Sequence, residues 1–447
     1  MSDSGSNDSP RSQRAHAMAW ALWDTGAAGV SAVVVTFVFS VYLTGTVGKG
    51  LPGGVPPASW LGRALAIAGL TIAVLAPVIG VWVEDARRRR IALTVLTGMV
   101  VALVSAMSLI RDRPQYLWPG LALLAIAAAC GDLASVPYNA MLRQISTPQN
   151  SGRISGFGLA AAFVGSVGLL LTTYFGCIVG QGDTRGFLQL PVSDGTNVRV
   201  AMLLAAGWFV LFALPLLLTA PRLPSPAEVF SPVRGVLGSY RKLRQDLVTE
   251  WHRDRNLVYY LVASAVFRDG LAGVFTFGGV LGVNAYGISP ADVLIFGVAA
   301  SVVAAVGAVF GGFLDDWVGS KPVIIGSLAS IIAAGLTMMA LSGPRAFWLT
   351  GLLLSLFIGP AQASARTLLL RMSSAGKEGV AFGLYTMTGR AVSFVAPWLF
   401  SVFVDVFGAV RAGMGGLCLV MVVGLLILLI VRAPHRILAT DVLTEPD

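Results

Sequence analysis

Gly312-Phe313-Leu314-Asp315-Asp316-Trp317-Val318-Gly319-Ser320-Lys321 closes one long apolar run. Gly80-Val81-Trp82-Val83-Glu84-Asp85, followed by Arg87 to Arg90, closes another. In each, a glycine stands four residues before a carboxylate and basic residues follow. Glycine lets two helices approach closely. A carboxylate at a helix end can bind a neighbouring helix's N-terminus or an arginine. The two copies fall at matching places in the two halves of the chain. Other pairs follow the same order: Asp24-Thr-Gly-Ala-Ala-Gly-Val with Asp269-Gly-Leu-Ala-Gly-Val, and Met141-Leu142-Arg143 with Leu369-Leu370-Arg371. A shared order of short matches is the signature of an internal repeat.

Working outward, about 20 apolar residues are needed to cross the hydrocarbon of a bilayer. Twelve stretches meet that length: 18–43, 59–83, 91–110, 116–142, 154–176, 198–219, 257–283, 291–314, 322–341, 346–370, 380–404 and 410–431. Of the 447 residues 56% are hydrophobic and 12% charged, about half the charged share of a soluble protein, so the apolar excess must face lipid. The sequence predicts an all-α membrane protein of twelve transmembrane helices in two pseudo-symmetric six-helix bundles. Residues 1–17 read as a disordered cytoplasmic N-terminus and 18–219 as the first bundle. Residues 220–256 read as a cytoplasmic linker, 257–432 as the second bundle and 433–447 as a cytoplasmic tail. In the linker Val233, Leu237, Tyr240, Leu243, Leu247 and Trp251 recur at helical spacing among arginines, which suggests an amphipathic helix on the membrane surface.

The net charge of +9 is mostly arginine, gathered in alternate loops. That asymmetry puts both termini in the cytoplasm and argues for an anchoring role over nucleic-acid binding. Trp60, Trp118 and Trp348 near outer helix ends, and Trp20, Trp23, Trp82 and Trp317 near inner ends, read as aromatic belts. The three cysteines form no CxxC and no ligand cluster, and the histidines lie outside the apolar stretches. No metal, no cofactor and no catalytic group is expected, and no phosphate-binding GxxxxGK[ST] loop is present.

The residues that could carry chemistry are charges inside apolar stretches. Asp24, Asp132, Arg268, Asp269, Arg366 and Arg390 each cost at least about 2.5–3.5 kcal/mol if left alone at the bilayer centre, so they should face the bundle interior and pair. Asp269 is the leading candidate for a functional carboxylate because it lies mid-helix, and Asp132 is the second. The alternative for each is a static salt bridge. Pro137-Tyr138-Asn139 and Gly359-Pro360-Ala-Gln362, the latter continuing to Ser364 and Arg366, suggest broken helix segments that line a cavity, with Tyr138, Asn139 and Gln362 as hydrogen-bonding groups. The alternative is polar glue between helices. Gly80, Glu84, Asp85, Arg88, Arg89, Gly312, Asp316, Gly319 and Lys321 are the candidate gating residues, against a membrane-edge charge cluster with no gating role.

The Gly80 and Gly312 loops resemble the signature loop of major facilitators, more fully in the second copy; in the first, Glu84 stands where Asp is usual and Arg87 where Gly is usual. A narrower resemblance rests on Trp20-Ala-Leu-Trp23-Asp24, Phe37-Val-Phe39, Tyr138-Asn139-Ala140, Ile154-Ser155-Gly156-Phe157-Gly158, Arg268-Asp269-Gly270, Phe382-Gly383-Leu384-Tyr385, Gly389-Arg390 and Pro397. This set is similar to the vacuolar-effluxer-like branch of that superfamily, which includes the fungal autophagy-related amino-acid effluxer. In Gln362-Ala-Ser364-Ala365-Arg366 an alanine interrupts the Ser-Arg pair usual in the branch. The resemblance implies a secondary transporter working by alternating access. It implies export of small solutes, amino acids first, with protons as a candidate coupling ion, by a monomer in a bacterial inner membrane. The competing expectations are multidrug or lipid-like export and a non-transporting sensor or scaffold.

Overall fold

The structure, a computed structural model, describes residues 10–49, 57–180, 182–219, 238, 241, 255–288, 290–374 and 376–432. Among these, twelve helices are long and apolar enough to span a membrane. They are α1 (Gln13–Val47), α2 (Trp60–Trp82), α3 (Ala86–Leu109), α4 (Pro114–Ile145), α5 (Ser151–Ile178), α6 (Ser193–Thr219), α7 (Asn256–Gly279), α8 (Ile295–Val318), α9 (Ser320–Ala340), α10 (Pro344–Met372), α11 (Glu378–Phe407) and α12 (Val410–Ile430). A two-stranded hairpin, β1 (Thr184–Arg185) with β2 (Leu190–Pro191), joins α5 to α6. Crossing the membrane an even number of times puts both ends of the bundle on one face, here named the terminal face. The expected linker and C-terminal tail lie outside the described residues, apart from Gly238, Arg241, Arg255 and Asn256.

The first helix starts earlier than the sequence predicts. Residues from Pro10 onward, expected to be disordered, are already helical. Proline suits the first turn of a helix because its missing N–H would have no partner there.

Each half packs around its first helix. In the first, α1 lies against α5 and α6; in the second, α7 lies against α12 and α11. The halves meet through α5 on α8 and α2 on α11. Small residues make this possible. At Gly165 in α5, an added Cβ would stand 2.2 Å from the backbone oxygen of Thr25 in α1. Without a hydrophobic drive between helices in lipid, such close packing supplies much of the attraction.

Two expectations about helix geometry change. The proline segments of α4 and α10 are not broken: helix runs unbroken from Leu117 to Ala140 through Pro137, and from Pro344 to Met372 through Pro360. Pro360 instead fills the gap left by Gly311, whose added Cβ would lie 2.5 Å from its ring. Interruptions fall instead at Val38 in α1, next to π-helical turns, and in α11, where helix ends at Val392 and resumes at Val395. Trp20 and Trp23 are not belt residues either. Both are buried and stack on opposite faces of Tyr138, at 4.5 and 4.4 Å between ring centroids. Trp82 and Trp317 are exposed, as a belt requires.

Gly165→Ala is expected to destabilise the first half by about 1–3 kcal/mol, because the obstruction is backbone and cannot rotate away. A fall in the melting temperature of the detergent-solubilised protein checks this, with Gly69→Ala, where nothing lies within 4 Å of the added Cβ, as the neutral control.

Candidate translocation site between the halves

Side chains from opposite halves meet in three tiers, ordered by depth from the terminal face. The outermost tier sits on helix ends. Asp316 at the end of α8 accepts hydrogen bonds from the backbone N–H groups of Gly152 and Arg153, at 2.8 and 3.0 Å. These are the first turn of α5, where unpaired N–H groups and the helix dipole favour a carboxylate. Arg153 Nε adds a third contact at 3.0 Å and Arg371 a fourth at 3.3 Å. Asp315 pairs with Arg371 at 2.7 Å. On the other side of the interface, Glu378 opens α11 and pairs with Arg143 at 2.5 Å. Arg89 approaches the same carboxylate at 3.8 Å while donating to the carbonyls of Val83 and Ala140. Arg143 also donates to the carbonyls of Leu370 and Ser373 at the end of α10.

Backbone contact accompanies these charges. An added Cβ on Gly80 would stand 2.5 Å from the Gly379 oxygen, and one on Gly156 2.3 Å from the Ala308 oxygen. Gly312 and Gly152 face each other in the same way. The terminal face is therefore shut by helices touching main chain to main chain.

The second tier lies deeper. Arg366 is six residues from the end of α10, about 9 Å in at 1.5 Å per residue. It pairs with Asp24 of α1 at 3.3 Å and donates to the Ser155 carbonyl of α5 at 2.9 Å. Ser155 returns a hydrogen bond to the Ala363 carbonyl at 2.8 Å. Trp20 supports the pair: its ring lies 5.4 Å from the Arg366 guanidinium carbon, and its Nε1 donates to the Tyr138 carbonyl. Tyr138 is buried between the two tryptophans, with Asp24 and Arg366 as its charged neighbours.

The third tier is near mid-depth. Arg390 is twelve residues into α11, about 18 Å from the terminal face. It is in direct contact with Asp132 of α4. Their side chains are 41% and 35% exposed, against 12% and 19% for Arg366 and Asp24. A charge open to hydrocarbon at this depth would be costly. The exposed pair, here named the floor pair, therefore calls for polar surroundings in place of lipid.

The sequence-predicted residues divide accordingly. Asp24, Asp132, Arg366, Arg390, Arg89, Asp316, Gly80 and Gly312 do join the halves. Asp269, the leading candidate, does not: its carboxylate accepts from the Ala396 N–H at 2.6 Å and caps the second segment of α11, inside its own half. Arg268 stacks on Tyr385 with its guanidinium carbon 3.7 Å from the ring centre, also inside that half. Asn139 bonds back to Ser135 of its own helix. Gln362 is half-buried in α10. Among the expected gating residues, Glu84 is buried beneath the first turn of α11. Asp85 caps α3 by accepting from the N–H groups of Arg87 and Arg88. Gly319 turns the chain with φ +94. Lys321 donates to the carbonyls of Leu429 and Val431 at the end of α12. Glu84 thus lies where the halves touch, while the last three serve local turns and helix ends.

Arg143, Arg153, Asp315, Arg371 and Glu378 were not singled out from sequence, though they hold the outermost tier. Arg143 and Arg371 carried a signal, since they close the matching Met141-Leu142-Arg143 and Leu369-Leu370-Arg371 segments. Glu378 carried none, because its importance comes from a helix start that only the fold brings beside α4.

Two six-helix halves meeting around inward-facing charges define a transporter of the major facilitator type. The chain belongs to the vacuole effluxer Atg22-like family, whose model matches residues 55–437. It is 22% identical over 413 residues to an uncharacterised MFS-type transporter, YxiO of Bacillus subtilis, covering 92% of this chain and 93% of that one. Autophagy-related protein 22 of Yarrowia lipolytica is 21% identical over 282 residues, or 57% of this chain and 46% of that protein. Among solved structures, the transporter FucP in its outward conformation superposes with a TM-score of 0.70 at 14% identity, covering 94% of this chain and 99% of that one. The proton:xylose symporter XylE bound to a bromodeoxyglucose gives 0.71 at 14%, covering 94% and 96%.

Arg371→Met leaves Asp315 and Asp316 facing each other without their shared cation. Removing one partner of a buried ion pair costs about 3–5 kcal/mol, and Arg371→Lys should recover part of that loss. Chemical or thermal unfolding of the three proteins side by side checks the order wild type, Lys, Met.

Proposed function

We propose that this protein is a secondary active exporter of amino acids or related small polar metabolites, working by alternating access. The observation that carries this is the one-sided closure. The ion pairs and glycine contacts join the halves from the terminal face up to mid-depth, and the floor pair beyond them is open. Helices that touch only at one end can rock about mid-depth, exchanging contacts at that end for contacts at the other.

With the termini cytoplasmic, as the arginine distribution suggests, this state faces outward. Substrate would meet the Asp132–Arg390 floor first, and the Asp24–Arg366 pair would lie on its path inward. Asp24 is the candidate proton carrier: it is a part-buried carboxylate whose arginine partner belongs to the opposite half, so rocking would separate them. One chain supplies both halves of the site, which supports a monomer as the working unit. Membership in the effluxer-like family supports amino acids as the cargo, and the arginine-rich loops suit an inner membrane with an anionic cytoplasmic leaflet.

Two measurements test this. A cysteine replacing the buried Ser151, in a background without the native cysteines, should react slowly with a membrane-impermeant thiol reagent applied at the terminal face. Glu378→Gln, which takes the carboxylate from Arg143 and Arg89, should raise that rate at least about tenfold, the effect of losing roughly 1.4 kcal/mol of closure. In proteoliposomes loaded with a labelled amino-acid mixture, an imposed pH gradient should drive flux, and Asp24→Asn should abolish the gradient's effect. An unchanged labelling rate in Glu378→Gln would argue against rocking. Gradient-independent flux would remove the proton from the mechanism.

A further inference from the structure

The charges at mid-depth do not balance locally. Asp132 is matched by Arg390 and, one tier below, Asp24 by Arg366. Arg268 remains. Like Arg390 it lies twelve residues into its span, so the two arginines stand at one depth. Asp269, next in sequence, is turned away to the Ala396 N–H. Among the described residues Arg268 has no carboxylate partner: its Nη1 donates to the Tyr385 carbonyl at 3.3 Å and its guanidinium lies over the Tyr385 ring. Those contacts hold the guanidinium in place without neutralising it.

Gly389, the residue before Arg390, faces this guanidinium. A Cβ there would be 3.4 Å from Nη1 and 3.6 Å from Nη2 of Arg268. The absent side chain leaves room at that edge of the guanidinium. A fixed, half-buried guanidinium without a carboxylate partner suits a planar two-oxygen anion, which arginine holds through paired parallel hydrogen bonds.

We propose that Arg268, at the same depth as Arg390, is the anchor for the carboxylate group of the transported solute. This rests on the transporter reading above and adds the group that is recognised. The carboxylate supplies the missing negative charge. If the solute also carries an ammonium group, Asp132 receives it once Arg390 turns to the carboxylate, which the two arginines then share. The inserted solute takes the place of a direct link between the halves, which ties binding to rocking.

The test uses the full chain in detergent, with binding read by calorimetry. The probes are leucine, 4-methylpentanoate and 3-methylbutylamine, which carry both charges, only the carboxylate and only the ammonium on one carbon skeleton, and then the remaining amino acids with their matching acids and amines. At least one carboxylate-bearing probe should bind, and its amine counterpart should bind at least tenfold more weakly. Arg268→Gln should weaken the carboxylate probe at least tenfold and Arg268→Lys less. Gly389→Ala, which covers the guanidinium edge without removing charge, should weaken it several-fold and serves if Arg268→Gln does not fold. Asp132→Asn distinguishes the two sources of the carboxylate: it weakens an amino acid and spares a simple acid. The proposal is overturned if amine and acid bind alike, if no carboxylate-bearing probe binds, or if Arg268→Gln and Gly389→Ala both leave affinity unchanged. Should Ser151→Cys labelling still respond to Glu378→Gln in that case, the transporter reading stands and only the carboxylate anchor falls.

Discussion

Main-chain contact between gate helices is the constraint on which the rest of this structure depends. Where α2 meets α11 and α5 meets α8, glycines on both sides bring backbone against backbone. No side chain intervenes that could yield gradually. Tightly packed interfaces of this kind have discrete arrangements and deform little between them. Closure of the terminal face follows from these contacts. So does the position of Asp316, which reaches the N–H groups of Gly152 and Arg153 only because Gly312 lets α8 approach α5 so closely.

The charged tiers have an ordered polarity. At the terminal face the acids Asp316 and Glu378 belong to the second half and their partners Arg153, Arg143 and Arg89 to the first. Deeper in, the order reverses: Asp24 and Asp132 come from the first half, Arg366 and Arg390 from the second. A slip of one half along the other by a single tier would set acid against acid in one direction and base against base in the other. Like charges at such range are unfavourable in a low-dielectric setting. The reversal thus favours one register between the halves.

How much was legible in the sequence depended on whether the signal was local. Twelve spans and two halves follow from run length and repeat order, because lipid demands apolar length whatever the neighbours do. The intramembrane charges were visible for the same reason. Their partners were not. Asp269 looked central because it is mid-helix, yet its role is set by where α11 breaks, which no residue pattern around it reveals. Tyr138 read as a cavity residue because it follows a proline. The Trp20 and Trp23 rings that enclose it come from a helix more than a hundred positions away. Proline itself misled at Pro137 and Pro360, since a helix inside a bundle can continue through it when neighbours satisfy the freed carbonyls. The break came at Ser393–Phe394, where Pro397 cannot continue a helix past the Ser393 carbonyl four residues back, and there a buried carboxylate from α7 supplies the cap.

Repeat symmetry places residues, and the site lies where that symmetry fails. Asp24 and Asp269 occupy matching positions in α1 and α7. One crosses to the other half and the other caps a helix segment within its own. Trp23, before Asp24, stacks in a buried core; Arg268, before Asp269, keeps a charge at mid-depth. At the gate helices, α5 begins with the cation Arg153 and α11 with the anion Glu378, so the two halves present opposite charges at equivalent places. A bundle of two identical halves would present the same charges from both sides. The departures from symmetry instead set acids of the first half against bases of the second at the two deeper tiers.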